Sequence, residues 1–196
     1  MLLLSLSVAV LMAGLVSSTA PTQCCFGEVY TAETEGTWNN HPYNSLKGSL
    51  DFTRKKFSGI IDFGNNAKLD FYVDYRPTVL RKYTKWYGAS KCEYETVRKL
   101  MPRCTPAGSA LGNFASQGKQ FIMFEFQWPN VNPTHRLTRL FTFDENNNCF
   151  PLASKSENLP GHSGDTFDHF YIENSYNLSG VYDKSYLASE GCTPKP

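Results

Sequence analysis

From Leu69 to Tyr75 apolar and polar positions alternate: Leu69, Phe71, Val73 and Tyr75 fall on one side, and Asp70 and Asp74 on the other. Period-two patterning of this kind predicts a half-buried strand, and Pro77 ends it. Upstream, 49–52 and 57–63 flank the basic Arg54-Lys55-Lys56 step and read as a hairpin. The turn residues Gly64-Asn65-Asn66 follow, so a strand starting near Lys68 extends the hairpin into an antiparallel meander. The longest apolar run, 121–128, sets Ile122, Phe124, Phe126 and Trp128 on one face and Phe121, Met123, Glu125 and Gln127 on the other. One face is fully apolar and the other mixed, as in a central strand that covers a core or lines a cavity. Pro129 and Pro133 close it, and the pattern resumes over 137–143 with Leu137, Arg139, Phe141 and Phe143 on one side. A polar turn over 144–148 leads into Cys149, and two further strands are expected at 169–172 and 176–182 around Glu173-Asn174. Helical periodicity is scarce. The single candidate helix is 92–100, stopped by Pro102, and 105–118 reads as a long loop rich in Gly, Ala and Ser. The pattern predicts a mostly β chain, one antiparallel sheet system of roughly eight to eleven strands with at most one or two helices.

Composition agrees: 14 Phe, 11 Tyr and 3 Trp favour strands over helices. With 19 basic against 18 acidic residues the formal charge is +1, which gives no reason to expect a nucleic-acid partner. The local clusters Arg54-Lys55-Lys56, Arg81-Lys82-Lys85 and Arg98-Lys99 read as solvated turns or strand edges, with heparin or anionic lipid as the alternative contact.

Two features point outside the cell. Residues 1–20 carry an unbroken apolar stretch from Val8 to Val16 behind Leu2, Leu3, Leu4 and Leu6, no charged side chain, and the small residues Ser17, Ser18 and Ala20. This predicts a cleaved signal peptide, with the cut favoured after Ser18, ahead of one domain over 21–196. The six cysteines, Cys24, Cys25, Cys92, Cys104, Cys149 and Cys192, then predict a disulfide-stapled, secreted, extracellular fold. Of the 15 pairings open to six thiols, three join adjacent Cys24 and Cys25 across a strained peptide, and the others stay open. Asn177-Leu178-Ser179 is a glycosylation sequon in such a protein.

Candidate chemistry is sparse. The loop from Gly161 to His169 holds His162, Ser163, Asp165, Asp168 and His169, a composition that invites a hydrolase. A nucleophile elbow needs glycine two places after the serine, where Asp165 stands, so a polar loop before a strand is the simpler reading. Zinc motifs are absent from the sequence. The oxygen-rich 144–148 run is too short for a twelve-residue calcium loop, although Asp165 and Asp168 could serve a calcium site completed from elsewhere. No metal ligand set is assigned.

Cys149-Phe150-Pro151-Leu152, the aromatic His169-Phe170-Tyr171-Ile172 segment, and Tyr182-Asp183-Lys184-Ser185-Tyr186-Leu187 ahead of Cys192 together resemble the ependymin-related family. Lys91-Cys92 and the position of Cys24 agree with it more loosely. The resemblance implies a curved, half-barrel antiparallel sheet similar to lipoprotein-carrier folds, with an apolar pocket, in a secreted glycoprotein that is often a homodimer and associates with calcium. It also implies pairing of Cys24 or Cys25 with Cys149 and of Cys92 with Cys192, which by subtraction leaves Cys104 for the remaining member of the adjacent pair.

The pocket walls expected from the apolar faces are Leu69, Phe71, Val73, Ile122, Phe124, Phe126 and Trp128. The leading expectation is a non-enzymatic binding protein that holds a lipid or other apolar molecule there, needs no cofactor, and associates with calcium. The alternative is a calcium-dependent extracellular-matrix or cell-adhesion glycoprotein with a solid core, and the third reading is a secreted hydrolase.

Overall fold

Strand-forming side chains spaced by polar turns build a single sheet in the computed structural model, which describes residues 21–97, 100, 102–116, 119–129, 132–143, 148–172, 174–178 and 182–195. The leader expected over 1–20 lies outside these residues, as do 144–147 of the predicted turn and 179–181 of the predicted strand 176–182. The strands are β1 (Val29–Trp38), β2 (His41–Asp51), β3 (Lys56–Asp62), β4 (Lys68–Asp74), β5 (Arg81–Trp86), β6 (Glu93–Thr96), β7 (Ala110–Ser116), β8 (Lys119–Trp128), β9 (His135–Phe143), β10 (Cys149–Asn158), β11 (Phe167–Tyr171) and β12 (Thr193–Pro194). They lie in the order β12-β6-β5-β4-β3-β2-β1-β11-β10-β9-β8-β7. All described pairings are antiparallel except β6 with β12.

The turns follow from their residues. Asn39 and Asn40 take φ of 51° and 65° between β1 and β2, a left-handed pair that asparagine tolerates and that matches hairpin twist. The Asp51 carboxylate accepts from the Arg54 backbone N–H at 2.7 Å and ends β2, and Asn65 and Asn66, again with positive φ, connect β3 to β4. Gly36 marks a register shift in β1, where a Cβ would meet the Asp168 and His169 backbone of β11, so only glycine admits this approach.

The sheet is open and strongly curved. Its concave face carries Ile61, Phe71 and Val73 from one half and Ile122, Phe124 and Phe141 from the other, in two buried clusters. On the convex face Tyr72 and Tyr83 are buried under Leu187, part of a 3₁₀ turn at Ser185–Ser189. That segment is tied down where Ser49 and Ser58 both donate to the Tyr182 carbonyl and the Tyr186 hydroxyl donates to Asp70 Oδ2 at 2.9 Å.

Three disulfides join Cys24 to Cys149, Cys25 to Cys104 and Cys92 to Cys192, one of the two arrangements that the resemblance implied. The first two fasten a short plug inside the fold. There Phe26 N–H donates to the Arg103 carbonyl and Thr105 N–H to the Cys24 carbonyl, at 3.1 and 2.8 Å, around a Cys25–Cys104 bridge pair.

Several local expectations are corrected. Within the helix expected at 92–100, Glu93–Thr96 form β6 instead, because Tyr83↔Tyr94 and Lys82↔Glu95 pair it with β5 and the backbone bonds go across strands, while 98 and 99 lie outside the described residues. The loop expected over 105–118 contains β7, paired along β8. Strands β1, β5 and β10 have no counterpart in the pattern reading. Of the strand expected at 176–182, the described residues show a single bridge between Thr31 and Asn177.

Candidate functional site

Two adjoining cavities occupy the concave side. The inner one, about 150 Å³, has apolar walls from Phe26, Tyr30, Leu46, Leu50 and Phe57, with Arg139, Ser154, His169 and Tyr171 along one side. The outer one, about 470 Å³, is bounded by Trp38, Val73, Trp128 and Leu137 and by the polar Lys82, Glu95, His135 and Asp165. Trp38, Tyr75 and Asp165 belong to both walls.

The inner polar side is a cross-strand row. Register places Ser154 of β10 opposite Arg139 of β9 and also opposite His169 of β11, so the three share one sheet face, with side chains about 5 Å apart from strand to strand. Arg139 is only 4% exposed. Its Nη1 donates to the Pro102 carbonyl at 3.0 Å, and its guanidinium lies 4.7 Å from the Phe26 ring centroid and 5.5 Å from that of Phe126. Among the described residues it forms no ion pair. Burial lowers its pKa, opposed by Tyr171 and Tyr30.

His169 stacks on Phe167 at 4.7 Å and meets Tyr171 edge-on at 5.4 Å. Burial first, and the Arg139 charge second, push its pKa down to about 3, so the ring is neutral. Its Nδ1 is buried without a hydrogen-bond partner. Burial pushes the Tyr171 hydroxyl up to about 12 against the opposing effect of Arg139.

At the outer cavity Lys82 Nζ lies 2.6 Å from Asp165 and 3.0 Å from Glu95, and 4.9 Å from the Trp38 ring centroid. Asp165 also accepts from Asn39 Nδ2 at 2.8 Å. Burial pushes the Asp165 carboxyl up, but the Lys82 charge with hydrogen bonds from Asn39, Lys82 and Trp38 outweighs it and holds the group below its usual range. Lys82 therefore ties the segment between β10 and β11 to β5 across the cavity mouth.

The expected pocket residues divide. Val73 and Trp128 line the outer cavity. Phe71, Ile122 and Phe124 are packed in the buried clusters, Leu69 lies partly buried beside Phe71, and Phe126 sits against Arg139. The inner walls come largely from β1 and β2. The hydrolase residues are dispersed: His162 is exposed, Ser163 lines the outer cavity, Asp165 is held by Lys82, and His169 belongs to the inner row. Asn177 of the sequon is exposed. Among the described residues no group of three or more His, Cys, Asp or Glu is placed to hold a metal ion, and no helix is long and apolar enough to cross a membrane.

Pattern reading passed over Arg139 as a site residue and weighed His169 only as a hydrolase residue, not as part of a binding row. A signal was present for Arg139, an arginine at the second apolar-face position of 137–143. No family model and no curated protein matches this chain.

Proposed function

We propose that this chain is a secreted, non-enzymatic binding protein that takes a lipid or other apolar molecule into the space enclosed by its curved sheet. The observation that carries the reading is the pair of adjoining cavities, one with a predominantly apolar wall and the other, larger, reaching toward the sheet edge. Cavities that bind small molecules combine apolar walls with a few converging polar groups, and the Arg139–Ser154–His169 row supplies such groups. Three disulfides suit an oxidising, extracellular setting. The likeness to the ependymin-related family at 149–152 and 182–187 belongs to the same proposal.

Native mass spectrometry of protein secreted from a eukaryotic host, followed by solvent extraction, tests it. The expected result is a heavier species that loses a lipid-sized mass on extraction. An empty protein that also takes up no apolar fluorescent probe after delipidation would overturn the reading.

A further inference from the structure

This inference rests on the binding reading above and names the ligand class. We propose that the inner cavity is a carboxylate site, receiving the anionic end of a single-chain fatty acid on Arg139 with His169 beside it.

The geometry has three parts. Arg139 is a buried cation between the apolar Leu137 and Phe141 of its own strand face, with one backbone carbonyl and two aromatic rings as neighbours and no ion pair among the described residues. A guanidinium cannot shed its proton to escape burial, so a cavity-lining arginine in this state calls for an anion. Secondly, the His169 Nδ1 on the same cross-strand row is buried and unpartnered. In the tautomer protonated at Nδ1 it donates to the second carboxylate oxygen, which removes an unsatisfied polar atom that proteins otherwise avoid. Thirdly, the inner cavity is small, about 150 Å³, and adjoins the larger one at Trp38 and Tyr75, which line both. A planar carboxylate with the first methylenes fits the inner space, and the chain continues between Val73, Trp128 and Leu137.

One guanidinium favours a monoanion, and its planar fork matches a carboxylate. A phosphate head carries more charge and bulk than this row offers. The low dielectric of the apolar wall strengthens the pairing, and the lowered pKa of Arg139 reflects the cost of the charge while it stands alone.

Delipidated full-length protein titrated calorimetrically with oleate and with oleyl alcohol separates the two levels of the proposal. The expected result is tighter binding of oleate by about tenfold or more, the usual scale of a buried charge-assisted contact, with the preference abolished in Arg139→Met. Equal binding of the two probes would overturn the carboxylate site while the binding reading stands. Binding of neither would overturn both. A preference that survives in Arg139→Met would overturn the assignment to Arg139, and tighter binding of oleoyl lysophosphatidate than of oleate would overturn the choice of carboxylate over phosphate. Carbon-13 NMR of carboxyl-labelled oleate on the unmodified protein needs no variant. The bound carboxyl is expected to hold one chemical shift from pH 8 to pH 5, and titration like a solvated fatty acid over that range would overturn the proposal.

Discussion

His169 carries its own consequence for stability. The folded protein holds the imidazole near pKa 3 by burial, with the Arg139 charge adding, against 6.5 for the ordinary group. Between those values the unfolded chain binds a proton that the folded chain refuses. Stability is therefore complete above about pH 6.5 and declines as pH falls toward 3, by up to about 1.4 kcal/mol per pH unit. Urea unfolding at pH 7 and pH 5 checks this: the unmodified protein should lose about 2 kcal/mol that His169→Phe, which keeps the stack on Phe167, does not lose. Groups that titrate in both proteins cancel in the difference. An identical pH loss in the variant would mean that His169 is solvated and protonates freely. The same comparison bears on Arg139, whose charge is the second cause of the shift.

Between elements, the Lys82–Asp165 contact is the most exposed to test. It connects β5 to the segment between β10 and β11, while Asn39 binds Asp165 through Nδ2 and accepts the Thr166 N–H at 2.8 Å. Asp165 is partly exposed and the buried Lys82 keeps Glu95 as a second partner when Asp165 is removed, so the loss stays near the scale of a water-screened pair, about 1 kcal/mol, and Asp165→Ala should leave the melting temperature nearly unchanged. Local opening should respond instead: amide exchange at Thr166 is expected to rise roughly fivefold, following that 1 kcal/mol scale, with β8 and β9 unaffected. Because its carboxyl sits below the ordinary 3.8, the contact is complete above that pH and is lost as pH falls through the lower folded value. Exchange at Thr166 that is insensitive to the substitution would show that the segment is held by Asn39 alone. Legibility at this scale depended on which side chains fill the buried positions. Strands β3, β4, β8 and β9 were readable because their buried positions hold large apolar side chains, among them Ile61, Phe71, Phe124 and Phe141. In β1 and β10 the interior positions include the small or polar Ala32, Thr34, Ser154 and Ser156 beside Tyr30, so most of a buried face looks polar in the sequence. Strand β7 is exposed along its length and carries no alternation, and β6 owes its conformation to β5 rather than to its own Glu-Tyr-Glu-Thr sequence. Arg139 was visible as an arginine in an apolar row. Its place in one cross-strand row with His169, and the contact of Lys82 with Asp165, depended on register and curvature linking distant segments.

For the whole molecule, curvature without closure raises the question of what keeps the two halves of the sheet together. Among the described residues the terminal strands β12 and β7 do not pair with each other, so no ladder of backbone hydrogen bonds between them seals the space. The plug formed by 24–26 and 103–105 does part of this work from inside. Phe26 packs between Tyr30 and Phe141 with ring centroids 5.3 and 5.5 Å away, Cys149 anchors the plug to β10, and the plug's neighbour Pro102 supplies the carbonyl that Arg139 uses. The Cys92–Cys192 bridge instead holds the terminal segment on the convex face, away from the cavities. The Cys25–Cys104 bridge within the plug and the Cys92–Cys192 bridge close long loops, with sequence separations of 79 and 100, and each should contribute roughly 2–4 kcal/mol. Paired serine variants then separate stability from access. Cys25→Ser with Cys104→Ser and Cys92→Ser with Cys192→Ser should lower the melting temperature to a similar degree, with far-ultraviolet circular dichroism unchanged at 20 °C. Release of a bound apolar fluorescent probe, followed by stopped flow, should accelerate in the first pair only, because of the two bridges removed only Cys25–Cys104 lies in the plug that packs on the inner wall. Equal acceleration in both would mean that release follows global opening rather than movement of the plug, and unchanged release in both would place the exit wholly at the Lys82–Asp165 mouth.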